Sequence, residues 1–442
     1  MNSQPRESIP PISQKKGRWG EFCLAGLIAL TFSGYPAVSF LSVLFNLGVN
    51  ETRLVSVPYR IVVLAMSMGL FVWAVRNNRM IWDTAVHKLF TAVFIMFSIR
   101  LAYESIVNED NLVRSVFDYW SYWVGIGLLS IIGISQVISE RVRRNAVNLI
   151  WVLSFIAVVV GLAFRRGEIS TADQRLWANP MLNPITYSQC GVTLVLFSIY
   201  QALHTKRTIV IVFLAAATLP GFAIIALTAS KSPVIGLFVG ILILCYHGLR
   251  RGAEWRVIFG MFVGSLLMPT LMESVMSSEI TLIARIFETT DNLKFGEVDR
   301  FLLWGEAYDS FWRAPFTGER LELSNGMYPH NLILESFMTM GVFGGLIFVC
   351  LFFLSIRNSL ELLLVTDATW MALLGLQFFI GGMFSGGLFC FPEFWAIVLL
   401  QASTIATLTK SKIPASHQSA HLSLAALFTL RNQKMSKNRR HG

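Results

Sequence analysis

Arginines recur along this chain where they could gather on one anionic ligand. Arg53, Arg60 and Arg100 lie at or near ends of apolar runs, Arg165, Arg166 and Arg175 share one polar stretch, and Arg285, Arg300, Arg313 and Arg320 share another, with Lys294; Lys231 sits in a Ser230-Lys231-Ser232 turn. Guanidinium grips phosphate through two parallel hydrogen bonds and stays charged at any relevant pH. Arginines also snorkel or pair with nearby Glu and Asp, which is the simpler account of Arg53, Arg165, Arg166, Arg313 and Arg320. His330, with Asn331, immediately precedes an apolar run. By residue type alone it is a helix-start histidine bonded to backbone, although imidazole titrates near neutrality and can move a proton. The acidic triplet Asn108-Glu109-Asp110 reads as a solvated loop rather than a metal site. The five cysteines are scattered without metal or redox spacing, so no zinc site or disulfide framework is indicated.

The elements that position these residues follow from composition. The 442 residues are 54% hydrophobic and only 14% charged, whereas soluble domains carry about 25% charged residues. So few charges cannot cover a water-soluble globule of this size, and the apolar excess must face lipid. Apolar runs predict about twelve transmembrane helices, at 19–47, 54–75, 89–106, 116–138, 146–164, 185–203, 209–227, 233–249, 257–271, 332–356, 369–388 and 391–408, most near the ~20 residues a span needs. The first is read as a retained helix, kinked at Pro36, because no small-residue cleavage site follows it.

Alternating the connections sorts the basic residues. About 23 of the 36 Lys and Arg fall on the set that includes both termini, which assigns that side to the cytoplasm. The net charge of +10 therefore reflects topology and does not point to nucleic acid. The expected organisation is a cytoplasmic tail over 1–18, a helical bundle over 19–408, and a basic cytoplasmic tail over 409–442 whose apolar patch at 422–430 is expected to be disordered. One large external loop, 272–330, joins the ninth and tenth spans.

That loop carries ordered motifs. Arg300 is followed four residues later by Trp304; Pro315 and Gly318 form P-x-x-G; and His330-Asn331 precedes Gly341-Val-Phe-Gly344 by nine residues. The last fits H-[NSQ]-x9-G-x-x-[GTY] in full. With the Ser-Lys-Ser turn and Arg175 ahead of Asn183-Pro184, the chain from about 175 to 346 resembles the O-antigen ligase and O-antigen polymerase superfamily. Lys231 departs from the commoner arginine, and the loop is of modest length.

The resemblance implies an all-α, polytopic glycosyltransferase of GT-C-like architecture in the bacterial inner membrane. It implies transfer of a glycan from undecaprenyl diphosphate to an acceptor hydroxyl on the periplasmic face, the acceptor being lipid A-core or another carrier-linked glycan. By resemblance, His330 is the candidate catalytic base, and Arg300, Arg285 and Arg175 are candidates for stabilising the diphosphate, with Lys231 and Arg100 as further diphosphate-binding candidates. Asn331 is a candidate helix cap or imidazole support, and Glu335 a candidate orienter of His330 or capping partner. The Gly341/Gly344 spacing reads as close helix packing. No cofactor is expected, and the family is metal-independent. The competing expectation is a transporter or flippase of lipid-linked sugars, against which stand the lack of an internal repeat and the clustering of charge at outer helix ends. A structural partner of a secretion complex would leave the arginines unexplained.

Overall fold

The computed structural model describes residues 14–107, 112–164, 179, 181–228, 230–250, 260 and 298–412. Among these, eight helices are long and apolar enough to cross a membrane: Arg18–Leu44, Arg53–Arg76, Ala85–Val107, Val116–Ile134, Glu140–Ala163, Thr208–Thr228, Lys231–Arg250 and Leu332–Leu362. Among the described residues the fold is all-helical, that of a multi-pass membrane protein. Pro184–His204 and Pro392–Lys412 coincide with two further expected spans, and Thr369–Phe384 is an apolar helix of 16 residues. The expected span at 257–271 and the tail at 413–442 lie outside the described residues.

In chain order, the helices are α1 (Gln14–Ala29), α2 (Tyr35–Leu44), α3 (Arg53–Arg76), α4 (Ala85–Val107), α5 (Val116–Trp120), α6 (Glu140–Ala163), α7 (Pro184–His204), α8 (Thr208–Thr228), α9 (Lys231–Arg250), α10 (Val298–Arg313), α11 (Leu332–Leu362), α12 (Thr369–Phe384) and α13 (Pro392–Lys412). Large apolar side chains such as Ile61, Phe213, Phe238 and Phe353 stand exposed, as a lipid-facing belt requires. Pro36 has no N–H to continue the ladder. A π-helical turn, Leu30–Gly34, absorbs the mismatch between α1 and α2, and the Tyr59 hydroxyl donates to the Leu30 carbonyl at 2.6 Å. A second π-helical stretch, Ser121–Leu129, follows α5.

Helix α7 is the central post. Asn183 caps it by accepting from the Thr186 N–H at 2.8 Å, Pro184 stands in its first turn, and most of its side chains are buried. An aromatic core binds α4, α11 and α13 to the π-helical stretch. Trp123 stacks on Phe94 at 4.6 Å and meets Trp395 at 6.0 Å, and Trp395 meets Phe348 at 6.0 Å. Trp395 also donates to the Leu388 carbonyl at 2.9 Å, which fixes the turn between α12 and α13.

The decisive irregularity lies in α11. The helix breaks at Gly341, whose φ of 65° and ψ of −167° are far from helical values. Into the break comes the backbone of Pro315–Gly318. The Val342 N–H donates to the Pro315 carbonyl at 2.7 Å, and the Glu319 N–H donates to the Met338 carbonyl at 3.0 Å. Gly318 has φ 75°, and a Cβ there would run into the Thr339 carbonyl, just as a Cβ on Gly341 would run into that of Phe316. The P-x-x-G and G-x-x-G motifs are therefore two halves of one joint. This corrects the expectation of helix-on-helix packing: the backbone that comes close is a loop, because the break frees helix carbonyls and N–H groups that only another backbone can satisfy here.

Replacing Gly341 or Gly318 by Ala should destabilise the protein, by about 1–3 kcal/mol from backbone strain alone and more from the clash. Gly305→Ala, on an exposed position of α10 with open space around it, should be neutral or stabilising by about 0.5–1 kcal/mol. Thermal unfolding midpoints in detergent check this; equal midpoints for all three variants would contradict the joint.

Candidate active site

Three tethers deliver the loop between α10 and α11 to one end of the bundle. One face of α10 packs Leu303 and Ala307 against Met338 and Leu323, and Trp304 donates its indole N–H to the Pro329 carbonyl at 2.9 Å. This bond anchors the residue that precedes His330 and explains the motif tryptophan. Arg300, one turn before Trp304 on α10, is carried to the same place. Arg100, buried on α4, donates to the Gly318 carbonyl at 3.0 Å and also to the Glu319 carbonyl and the Glu104 carboxylate. Buried Glu322 accepts from the Val113 N–H at 2.8 Å and from the Tyr119 hydroxyl.

His330 itself lies in the left-handed region, with φ 55°. A β-substituted residue there costs energy, and the next residue supplies the compensation. Asn331 turns back to extended backbone and caps α11, its side chain accepting from the N–H groups of Ile333 and Leu334 at 3.1 Å each. The His330 ring stands edge-on to Tyr328, with centroids 4.5 Å apart, and has a backbone contact with Ser385 in the turn after α12. Its Nδ1 is buried with no hydrogen-bond partner among the described residues.

Burial and the nearby positive charge of Arg300 both push the His330 pKa below its ordinary value. The ring is therefore neutral at pH 7. A ring N–H given to the Ser385 backbone leaves the other nitrogen as a proton acceptor. Tyr328, pushed up by burial, keeps its proton.

A cavity of about 1030 Å³ opens beside this pair. Its wall includes Arg53, Tyr59 and Arg60 of α3, Tyr122 of the π-helical stretch, Asn183 and Gln189 at the start of α7, Tyr328, Ser385, and Glu393 of α13. Those on helices lie near the starts of their helices, and Tyr328 and Ser385 belong to the connections. His330 stands behind Tyr328 and Ser385 and is not itself part of the wall.

The expected residues divide accordingly. His330, Asn331 and Arg300 come together. Lys231 opens α9 at the same end of the bundle. Arg100, expected on a diphosphate, instead clamps the P-x-x-G backbone. Glu335, expected to orient His330 or cap its helix, instead accepts the Leu388 N–H on both carboxylate oxygens at 3.0 Å and so ties α11 to the turn before α13. Arg313 forms a bidentate pair with Glu319 at 2.6 and 2.7 Å, and Arg320 reaches Glu306 and Glu319. The Arg313 pairing holds the Glu319 carboxyl down to about 2. Arg175, Arg285 and the triplet 108–110 lie outside the described residues.

Sequence reasoning passed over Arg114 and Glu393. Arg114 is exposed, sits over the Phe389 ring at 5.6 Å, and is close enough to act on Tyr328 and Cys390. Glu393 had a signal: a carboxylate inside an apolar run is by default a functional candidate.

Residues 214–349 match the family model for O-antigen ligase. The matched stretch runs from α8 into α11 and contains Lys231, Arg300, Trp304, the joint and His330; Arg100 and Arg175 precede it. No curated protein matches the chain.

In histidine-labelled protein, the His330 NMR titration should have its midpoint below about 6.5, and Arg300→Gln should raise it by removing the repelling charge. A midpoint at or above that value, unmoved by Arg300→Gln, would contradict the electrostatic account.

Proposed function

We propose that this chain, whose residues 214–349 match the O-antigen ligase family model, transfers a glycan from undecaprenyl diphosphate to an acceptor hydroxyl. The superfamily match supports glycosyl transfer on lipid-linked glycan substrates in general. The donor, the acceptor and the side of the membrane are our reading. The observation that carries it is His330: a neutral imidazole with a buried, unpartnered nitrogen, near the Arg300 guanidinium and behind the Tyr328 and Ser385 wall of a cavity.

The acceptor oxygen attacks the anomeric carbon of the donor sugar. The bond from that carbon to the phosphate oxygen breaks, and undecaprenyl diphosphate leaves with the electron pair. The acceptor's proton passes to the His330 imidazole. Negative charge grows on the diphosphate as the bond lengthens, and Arg300 offsets it from a fixed position with little solvent to reorganise. Arg175, Arg285 and Lys231 are assigned to the same diphosphate on the family resemblance. Arg100, Asn331 and Glu335 act at one remove: the first holds the loop, the second the His330 turn, and the third the turn that touches the ring.

Lipid A-core is the acceptor of a ligase and a carrier-linked glycan that of a polymerase. The reading puts the site on the periplasmic face of the inner membrane, with both termini cytoplasmic, and needs no metal or other cofactor. A flippase would have no use for an unpartnered base beside an arginine.

His330→Ala should lower transfer by about 10²–10⁴-fold at unchanged protein level and insertion, and Arg300→Lys by roughly tenfold or more because the fork geometry is lost. The assay is glycan attachment in a deletion strain complemented with each variant. Carrier-linked polymer accumulating without long chains on lipid A-core identifies a ligase, and single attached repeat units identify a polymerase. Full transfer by His330→Ala would remove the histidine from the mechanism.

A further inference from the structure

The wall of the cavity beside His330 carries Arg53, Arg60, Asp118 and Glu393, and deep in it the Arg60 guanidinium and the Glu393 carboxyl do not meet. Arg60 reaches the Tyr35 side chain and lies over the Tyr122 ring at 5.2 Å, with no carboxylate at ion-pair distance among the described residues. Glu393 stands in the wall of the same cavity. Its carboxylate bonds its own backbone N–H, and no cation or side-chain donor among the described residues holds it. The two act on the same tyrosines, Tyr35 and Tyr59, so they share one space without neutralising each other.

Removing either charge from water is costly unless something replaces the lost hydrogen bonds. This requirement sorts the possible ligands. A phosphate would suit Arg53 and Arg60 but would find no donor in the carboxyl groups of Asp118 and Glu393. An isoprenoid chain would strip water from both and return nothing. A neutral polyol satisfies both: its hydroxyls donate to the carboxylate and accept from the guanidinium. The tyrosine rings around them offer flat apolar faces to C–H groups, and the Tyr59 hydroxyl, already spent on the Leu30 carbonyl, holds its ring in place. The volume of about 1030 Å³ is at the top of the ~300–1,000 Å³ range of small-molecule sites, enough for more than one sugar ring.

We infer that this cavity is a carbohydrate subsite, in which Glu393 and Arg60 bind hydroxyls of a pyranose one sugar or more away from the reacting bond. The inference rests on the transfer reading and deepens it. Glu393 and Arg60 are specificity residues for a bound sugar, while His330, behind Tyr328, serves the chemistry. The sugar comes either from the donor glycan or from the acceptor, and both present the same hydroxyl-rich face.

The test is saturation-transfer NMR on the purified full chain, with methyl glycosides of a hexose, a 6-deoxyhexose and an N-acetylhexosamine as probes and farnesyl phosphate as the lipid-phosphate control. At least one glycoside should bind, with Glu393→Gln and Arg60→Gln each weakening it fivefold or more and Gly305→Ala, on the exposed face of α10, leaving it unchanged. The two charge variants stand in for each other should one fail to fold, as judged by size-exclusion elution. No glycoside binding, binding indifferent to both variants, or Glu393-dependent binding of farnesyl phosphate instead would overturn the inference. In the transfer assay the same variants should raise KM for the donor or for the acceptor, which identifies the source of the sugar; unchanged KM for both overturns the subsite. A chain that binds glycosides yet transfers nothing would sink the transfer reading and leave the subsite standing.

Discussion

A loop backbone seated in a broken helix is the constraint on which this structure depends. A membrane-embedded helix cannot leave its carbonyls and N–H groups unsatisfied, so α11 can break at Gly341 only because Pro315–Gly318 supplies the missing partners. Once that joint forms, the chain between Gly318 and Gly341 has little freedom. It must turn back over the end of the bundle and start α11 at Asn331. The left-handed turn at His330 follows, with Trp304 holding the preceding carbonyl and Asn331 capping the helix behind it.

Charge is distributed in keeping with this geometry. Arg100, Arg313 and Arg320 are spent inside the loop on carbonyls and carboxylates, and Glu322 and Glu335 are spent on backbone N–H groups. These contacts make a rigid frame from residues that sequence alone cannot tell from ligand-binding ones. Two further groupings stand apart from this frame: His330 with Arg300 nearby, and Arg60 and Glu393 in one cavity wall. The first pair suits a reacting diphosphate and hydroxyl, and the second suits a sugar.

Much of this was legible in the sequence. Apolar runs marked the spans, because length and hydropathy are set by the bilayer rather than by neighbours. The ordered R-x-x-x-W, P-x-x-G and H-N-x9-G-x-x-G motifs marked the site. Their physical content was not legible, since Gly341 read as helix packing until the break showed the loop carbonyl of Phe316 in the place of its Cβ. The assignments of Arg100 and Glu335 shifted for a related reason: a guanidinium or carboxylate at a helix end has the same sequence signature whether it faces a ligand or a backbone. Arg60 and Glu393 are separated by more than three hundred residues, and only the folded bundle puts the starts of α3 and α13 in the wall of one cavity.

The central claim is that His330 and Arg300 act as one unit in glycan transfer. A double-mutant cycle measures this directly, using initial transfer rates of His330→Ala, Arg300→Gln and the double variant in reconstituted membranes. Strong non-additivity is expected: the double variant should be little worse than the more damaged single one, a coupling of more than about 1 kcal/mol. Losses that simply multiply would mean that the two residues work independently, and would contradict it.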